Sequence, residues 1–92
     1  MRHEALMSIC CFEQIRMARA AMGWSVQRLA EESLVSSRTL NRIETSSGFV
    51  VATPANLKLI QQTFEAAGIE FVGDVGEGPG VRLWARVNAS EN

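Results

Sequence analysis

The fold is decided by the stretch of residues 24–44, which reads WSVQRLAEESLVSSRTLNRIE. Ser25 and Ser36 are good N-caps, so they predict the starts of two short helices separated by a break. Helices joined by a tight turn cross at a steep angle, which requires a small residue at the crossing, and Ala30 suits that place. Val35 is expected to plug the turn with one apolar side chain.

The second of these helices has a narrow apolar stripe and a free polar face. Leu40 and Ile43 form the predicted stripe that anchors it to the core. The side chains left pointing outward are polar or basic, namely Ser37, Arg38, Asn41 and Arg42. We therefore expect the N-terminal end of this helix to project from the domain.

Further helices are predicted on both sides of this pair. Apolar residues recur at helical spacing upstream, at Phe12, Ile15, Ala18 and Met22, and Gly23 is expected to end that helix. Downstream, Pro54 suits the first turn of a helix that closes at Gly68. Its inner stripe is Leu57, Ile60, Phe64 and Ala67. Residues 45–53 contain two serines and a glycine and are predicted to form a loop.

The last part of the chain changes to the alternation typical of strands. Ile69 and Phe71 flank Glu70 in one predicted strand. In a second one the inward residues Val81, Leu83, Ala85 and Val87 alternate with Arg82, Trp84 and Arg86. Residues 73–80 between them are rich in glycine and other turn residues, so a terminal β-hairpin is the simplest arrangement.

The length of 92 residues suits a single domain. We expect a tail at residues 1–11, a helical domain at 12–67, the hairpin at 68–88 and a frayed tail at 89–92. No apolar run approaches the ~20 residues of a membrane-spanning helix. Glu4 and Glu13 bracket the apolar stretch near the start and no small-residue cleavage site follows, so we expect no secretory signal and a cytoplasmic location.

The charges are divided unevenly along the chain, although the formal net charge is only −1. Between residues 12 and 46, five basic residues, all of them arginines, oppose four acidic ones, whereas three basic residues oppose five acidic ones between residues 47 and 92. Arginine carries a forked donor that suits phosphates and guanine edges. Because most such divisions are only solvated surface, this asymmetry alone does not identify a partner.

The stretch of residues 24–44 resembles the helix-turn-helix of the phage-repressor and Cro family, also called XRE, whose pattern is roughly SQxxLAxxxGVSxxxIxxIExG. The matching positions are Ser25, Leu29, Ala30, Val35, Ser36, Leu40, Ile43 and Glu44. With the preceding helix, the resemblance covers about half the chain. The tail at residues 64–83 is similar to the ends of many short bacterial regulators of this type. The implied fold is mainly α, a four- to five-helix repressor-like helix-turn-helix bundle with a C-terminal β-hairpin.

The resemblance implies a DNA-binding transcription regulator whose third helix, at residues 36–44, enters the major groove. Arg38 is the expected base reader, with Ser37 and Arg42 as second choices. Further residues are expected to reach phosphates or bases: Ser25 and Gln27 at the start of the second helix, and Ser36, Thr39 and Asn41 in the third. Arg16, Arg19 and Arg28 are either a source of electrostatic attraction or solvated surface.

The family's pattern has glycine in the turn, where φ is positive, but this chain has Leu34. A bulky residue there costs on the order of 1 kcal/mol or more, so the turn is expected to be reshaped. Val26 stands where the family often has a phosphate-contacting glutamine, and Gln27 follows it. The loop after Glu44 is also longer than is usual in the family.

Members of the family usually act as dimers that place two recognition helices about 34 Å apart. The hairpin is the expected dimer contact, through Ile69, Phe71, Arg82, Trp84 and Arg86. Tryptophan and arginine are enriched at the centres of interfaces. The alternative is that Trp84 simply covers the end of the preceding helix.

The residues suggest neither a catalytic site nor a cofactor. The only histidine is His3, so no Ser/His/Asp set is available, and the glycines of residues 73–80 lack the spacing of a dinucleotide fingerprint. Cys10 and Cys11 are interpreted as reduced thiols at the start of a helix. A metal site with His3 is the alternative, but it lacks a fourth ligand.

Two other classes of function stay open. One is an antitoxin that binds DNA and a partner toxin with the same fold. The other is a protein-interaction module that has lost DNA binding, which Leu34, Val26 and the near-neutral charge favour. Arg38 and Arg42 on the free face of the third helix argue against that second alternative.

Overall fold

A computed structural model describes residues 9–84, and these form a mainly helical domain that ends in two antiparallel strands. The elements in chain order are α1 (Phe12–Met22), α2 (Val26–Ser33), α3 (Ser37–Ile43), α4 (Ser46–Val50), α5 (Pro54–Ala67), β1 (Ile69–Val72) and β2 (Gly80–Leu83). The predicted class, helices followed by a hairpin, is confirmed. The predicted end tail and the continuation of the second strand through Ala85 and Val87 lie outside the described residues.

The predicted helix boundaries rest on capping interactions that the structure contains. The side chain of Ser25 accepts a hydrogen bond from the backbone N–H of Arg28 at 3.0 Å, and that of Ser36 accepts one from Thr39 at 3.1 Å. These bonds satisfy N–H groups that lack a partner within the helix. Gly23 ends α1 with a left-handed φ of 69°, a conformation that glycine adopts without steric cost.

The prediction that residues 45–53 form a loop is wrong, because they contain α4. The Thr45 hydroxyl donates to the carbonyl of Arg42 at 2.7 Å and accepts from the N–H of Gly48 at 3.0 Å, which starts the new helix directly after α3. A Cβ on Gly48 would lie 1.7 Å from the Arg42 carbonyl oxygen. Only glycine fits this junction, so the glycine that suggested a loop instead permits a close helix-to-helix turn.

The core lies where the apolar stripes of the helices meet the inner face of the hairpin. Its fully or nearly fully buried members are Ile15, Ala18, Leu29, Val35, Leu40, Ile43, Ile60, Phe64, Ile69 and Phe71. Aromatic contacts join its parts, because Trp24 stacks on Phe64 and Phe64 meets Phe71 edge to face. The inward positions predicted for α3, Leu40 and Ile43, are confirmed. No helix within residues 9–84 combines the length and apolar character needed to cross a bilayer.

The hairpin turns alternate residues toward the core. β1 pairs with β2 in the register Ile69 to Leu83 and Phe71 to Val81. Ile69 is 2% exposed and Phe71 is 0% exposed, since both side chains point away from the solvent face of the sheet. Their side chains therefore fill the core of one chain, and the contact of these two residues with a second copy stays a prediction.

A buried glutamine joins α1 to the hairpin. The Nε2 atom of Gln14 donates to the backbone carbonyls of Val72 and Gly80, at 3.3 and 3.0 Å, and its Oε1 accepts from the N–H of Cys10 at 2.7 Å. Gln14 has no exposed surface. Its amide uses both donors and one acceptor, so it is buried without an unsatisfied donor and fixes the turn end of the hairpin against α1.

Candidate nucleic-acid interface

The exposed part of α3 carries most of the residues predicted to contact DNA. Arg38, Asn41 and Arg42 are exposed, and Ser37 is half-buried. The opposite side of the helix is held in the core by Leu40 and Ile43. One short helix thus presents two guanidinium groups and an amide on a surface that no other described element covers.

Arg38 and Arg42 are free to bind a partner outside the described part of the chain. Within residues 9–84, neither side chain makes a hydrogen bond or an ion pair. Extended arginine side chains on one helix can donate in a bidentate manner to phosphate oxygens or to a guanine edge. They are the strongest anion-binding candidates in the domain.

Ser36 and Thr39 have a structural role at the start of α3. The Ser36 hydroxyl donates to the Thr39 hydroxyl at 2.9 Å, in addition to accepting from the Thr39 N–H. Ser25 is similarly engaged as the cap of α2, next to the exposed Gln27. These serine and threonine oxygens retain some hydrogen-bonding capacity toward a phosphate, whereas the side chain of Gln27 makes no hydrogen bond within residues 9–84.

Arg19, which was considered as a source of attraction for DNA, is engaged inside the domain. Its Nε and Nη2 atoms donate to the two carboxylate oxygens of Glu44, both at 2.8 Å, and its Nη1 donates to the Trp24 carbonyl at 3.1 Å. The Glu44 side chain is 7% exposed and that of Arg19 is 22% exposed. The hydrogen bonds to Glu44 are the main reason that the pKa of Arg19 is raised. We call this pair the Arg19–Glu44 clamp.

The clamp holds α3 by its C-terminal end, because Glu44 is the C-cap of that helix. Arg16 adds to it, since its Nη2 donates to the backbone carbonyl of Glu44 at 3.0 Å. A cation at a carbonyl that lacks a helical partner is favourable for the helix dipole. Two arginines of α1 therefore fix the direction in which α3 points, and the motif position Glu44 acquires a role that its place in the sequence does not reveal.

Arg28 is engaged on the surface of α2. It donates to Glu32 one turn later at 2.8 Å, and its guanidinium lies 5.0 Å from the centre of the Trp24 ring. Both contacts occupy its guanidinium, although an exposed pair of this type contributes little to stability. Arg28 therefore has less of its charge available for a partner than Arg38 or Arg42.

The turn between α2 and α3 keeps the left-handed geometry expected there, despite its leucine. Leu34 has φ 66° and is 87% exposed. The buried hydroxyl of Ser33 supports the turn, since it donates to the Leu29 carbonyl at 2.7 Å and accepts from the Val35 N–H at 3.2 Å. The expectation of a reshaped turn is wrong, because Leu34 itself adopts the left-handed conformation.

The solvent face of the hairpin carries a connected cluster, which we call the Glu70 cluster. Oε1 of Glu70 accepts hydrogen bonds from the Trp84 indole at 2.8 Å and from Arg82 at 3.0 Å. The Trp84 bond, followed by that of Arg82, lowers the pKa of Glu70. Trp84 remains 61% exposed, and its backbone N–H donates to the carbonyl of Gly68. Arg86, predicted to belong to this face, lies outside the described residues.

The two cysteines are free thiols at the start of α1, with Cys11 as the N-cap residue. Burial and the neighbouring Cys11 raise the pKa of Cys10, which favours the protonated, unreactive thiol. Within residues 9–84, no group of three His, Cys, Asp or Glu side chains comes together as a metal site. His3, the ligand considered for such a site, lies outside the described residues.

Comparisons with known proteins do not supply a function. No protein-family model matches the chain, and no curated protein matches it either. What the chain does is therefore inferred from its own residues. Among these, sequence reasoning gave no role to Gln14 or Ser33. Gln14 could have been noticed, because it lies one helical turn before the inward Ala18 and so falls on the inner side of α1.

Proposed function

We propose that this chain is a sequence-specific, double-stranded DNA-binding transcription regulator that acts as a homodimer. The observation that carries the proposal is the exposed face of α3, where Arg38, Asn41 and Arg42 project without a partner in the described part of the chain. The resemblance of residues 24–44 to the helix-turn-helix of the phage-repressor and Cro family supports it.

The dimensions of α3 suit a major groove. Its 7 residues give a helix about 10 Å long, and the groove is about 12 Å wide and 8.5 Å deep. Arg38 lies in the first turn, where residues of a recognition helix face base edges, and we assign it to bidentate contact with guanine. Asn41 and Arg42 lie about one turn further along and reach a neighbouring base or the flanking phosphate.

The start of α2 supplies contacts to the DNA backbone in this proposal. Ser25 and Gln27 are exposed there, beside N–H groups at the positive end of a helix dipole. Such contacts fix the register of the protein on the duplex and carry no sequence information. The base specificity is therefore assigned to α3 and the positioning to α2.

The charge distribution favours a dimer as the DNA-binding form. Arg19 and Arg28 are engaged with Glu44 and Glu32, so each chain offers few free cations. Non-specific affinity grows with the number of phosphates that a protein neutralises. Two copies double the number of phosphate contacts and read two half-sites.

Selection of bound duplexes from a random library, at modest salt, tests the proposal. We expect the full chain to enrich an inverted repeat whose half-sites contain guanine. Arg38→Ala should lose the preference at one position of each half-site, at a cost of roughly 1–3 kcal/mol in discrimination. Arg28→Ala is the matched control, because it removes the same charge from an arginine already paired with Glu32.

The two variants separate base reading from general attraction. Arg28→Ala should bind the selected sequence with the same preference as the wild type. If no sequence is enriched, and the wild type and Arg38→Ala bind equally weakly, the proposal is rejected. A protein partner, as in the antitoxin or interaction-module alternatives, then becomes the better explanation of the exposed face.

A further inference from the structure

We propose that two copies of this chain associate through the outer face of α5, packed antiparallel about a two-fold axis near Gln62. This inference goes beyond the proposed function and shares with it only the assumption that the chain forms a homodimer. It is tested without DNA. The outer face consists of Ala55, Lys58, Leu59, Gln62, Glu65 and Ala66, all of which are exposed. It lies opposite the buried Ile60 and Phe64.

The middle of this face is apolar and has small residues. At 100° per residue, Ala55, Leu59, Gln62 and Ala66 fall in one line along the helix. Alanines let a second helix approach closely, and Leu59 is among the few large apolar side chains exposed in the described part of the chain. A glutamine at the two-fold axis meets its own copy, and two amides can hydrogen-bond to each other.

The charges beside this line are self-complementary. Lys58 and Glu65 lie on the same flank of the apolar line. Along the helix, Lys58 comes before Gln62 and Glu65 comes after it. When two such helices run antiparallel about an axis near Gln62, Lys58 of each copy faces the partner's Glu65. Lys58 makes no ion pair within residues 9–84. In a parallel pair, the charged flanks of the two copies would lie on opposite sides of the interface, so only the antiparallel arrangement brings Lys58 to the partner's Glu65.

The size of the surface predicts a weak dimer. The 14 residues of α5 span about 21 Å, and a helix is about 10 Å wide, so the face measures about 200 Å² in projection. This area remains below the roughly 800 Å² per partner of a standard interface, which indicates association that depends on concentration.

The hairpin is the competing surface, but its polar groups already satisfy one another. In the Glu70 cluster, the carboxylate, the Arg82 guanidinium and the Trp84 indole N–H are joined within one chain. Ile69 and Phe71 are buried. On the outer face of α5, Glu65 accepts a single hydrogen bond from Gln61 at 3.0 Å, but Lys58 makes no ion pair within residues 9–84, so this surface gains more from a second copy.

Sedimentation equilibrium of the full chain without DNA tests this interface by charge reversal. Lys58→Glu and Glu65→Lys, made singly, should each raise the dimer dissociation constant about tenfold, because two attractive pairs become repulsive. The combined Lys58→Glu, Glu65→Lys variant should return to within about twofold of the wild type. Within one helix these residues are seven positions apart and do not touch, so the rescue requires contact between copies.

Trp84→Ala discriminates the hairpin from α5, and circular dichroism checks that every variant is folded. We expect Trp84→Ala to leave the dissociation constant unchanged. A monomeric wild type up to about 1 mM, where even a weak dimer is half formed, would overturn the proposal. So would single reversals without effect, a double variant that fails to recover, or a dimer that only Trp84→Ala disrupts. Dimerisation without DNA binding would leave this inference intact and reject the proposed function alone.

Discussion

The Arg19–Glu44 clamp is the contact whose removal should most clearly affect stability. In Glu44→Gln, one of the two carboxylate oxygens becomes an N–H group that faces the guanidinium, and the negative charge is lost. The two hydrogen bonds are both 2.8 Å long, and Glu44 is 7% exposed. A hydrogen bond to a charged group contributes about 1.5–3 kcal/mol.

The expected cost is about 2–3 kcal/mol, somewhat less than the roughly 3–5 kcal/mol for breaking a fully buried ion pair, because Arg19 is 22% exposed and still reaches water. For a domain of this length, that corresponds to a fall in the melting temperature of about 10–20 °C. Arg19→Met keeps the packing of the stem and leaves the buried Glu44 carboxylate with only the exposed Arg16 as an ion-pair partner, at 3.8 Å, so it should cost at least as much.

A double-mutant cycle, measured by urea unfolding with circular dichroism, isolates the pair. The combined Arg19→Met, Glu44→Gln variant should cost much less than the sum of the two single changes, with a coupling energy of about 2 kcal/mol. Arg28 and Glu32 provide a matched control, since their N–O distance is also 2.8 Å but both side chains are about half exposed. The same cycle there should give no more than about 0.5 kcal/mol.

Equal coupling energies in the two cycles would refute this reasoning, because burial would then make no difference to the pair. A cost below about 1 kcal/mol for Glu44→Gln would refute it as well, since that is the contribution of an ordinary neutral hydrogen bond. The measurement therefore tests whether the clamp is held by two buried, charge-assisted bonds rather than by general attraction.

Three other changes have expected outcomes of known sign. Gly48→Ala should lower the unfolding free energy by at least about 2 kcal/mol in urea titrations, because the new Cβ would lie 1.7 Å from the Arg42 carbonyl oxygen. Leu34→Gly should raise the melting temperature, with a gain of up to about 1 kcal/mol in unfolding free energy. The reason is that it removes an almost fully exposed leucine from a left-handed conformation with φ 66°. A lower melting temperature would mean that contacts of the leucine side chain stabilise the turn. The pKa of Glu70 is lowered from 4.5, foremost by the Trp84 indole, so its contribution to stability is complete above that value and is lost as the pH falls through the folded-state pKa. Melting temperatures between about pH 5 and pH 3 should therefore fall less in Glu70→Gln than in the wild type, and parallel curves would contradict the assignment.

The parts of the fold that sequence predicts well are those fixed by local chemistry. Ser25 and Ser36 begin helices because a hydroxyl satisfies N–H groups within three residues. Gly23 ends a helix because it accepts a left-handed conformation. The alternation around Phe71 predicts the inner face of a strand, because successive side chains of a strand point to opposite sides of the sheet.

The parts that sequence missed depend on contacts between distant residues. The five residues of α4 include two serines and a glycine, all poor helix formers, and the helix exists because Gly48 approaches the Arg42 carbonyl and Thr45 caps it. The burial of Ile69 and Phe71 within one chain was missed for a related reason. Alternation identifies the apolar side of a strand, but only the packing of Phe64 against Phe71 reveals that the same chain covers it.

The orientation of α3 is determined mainly by residues that do not belong to it. α1 contacts the turn end of the hairpin through Gln14 and the C-cap of α3 through Arg19, and both contacts are made by polar groups of fixed geometry. Apolar contacts tolerate sliding, whereas a bidentate pair and an amide with three bonds each allow essentially one arrangement. α1 therefore fixes the orientation of α3 and of the hairpin relative to each other. If the proposed function is right, substitutions at Arg38 change which base is preferred. Substitutions at Gln14 or Arg19 of α1 instead change the orientation of α3, so they should weaken binding without changing the preferred base.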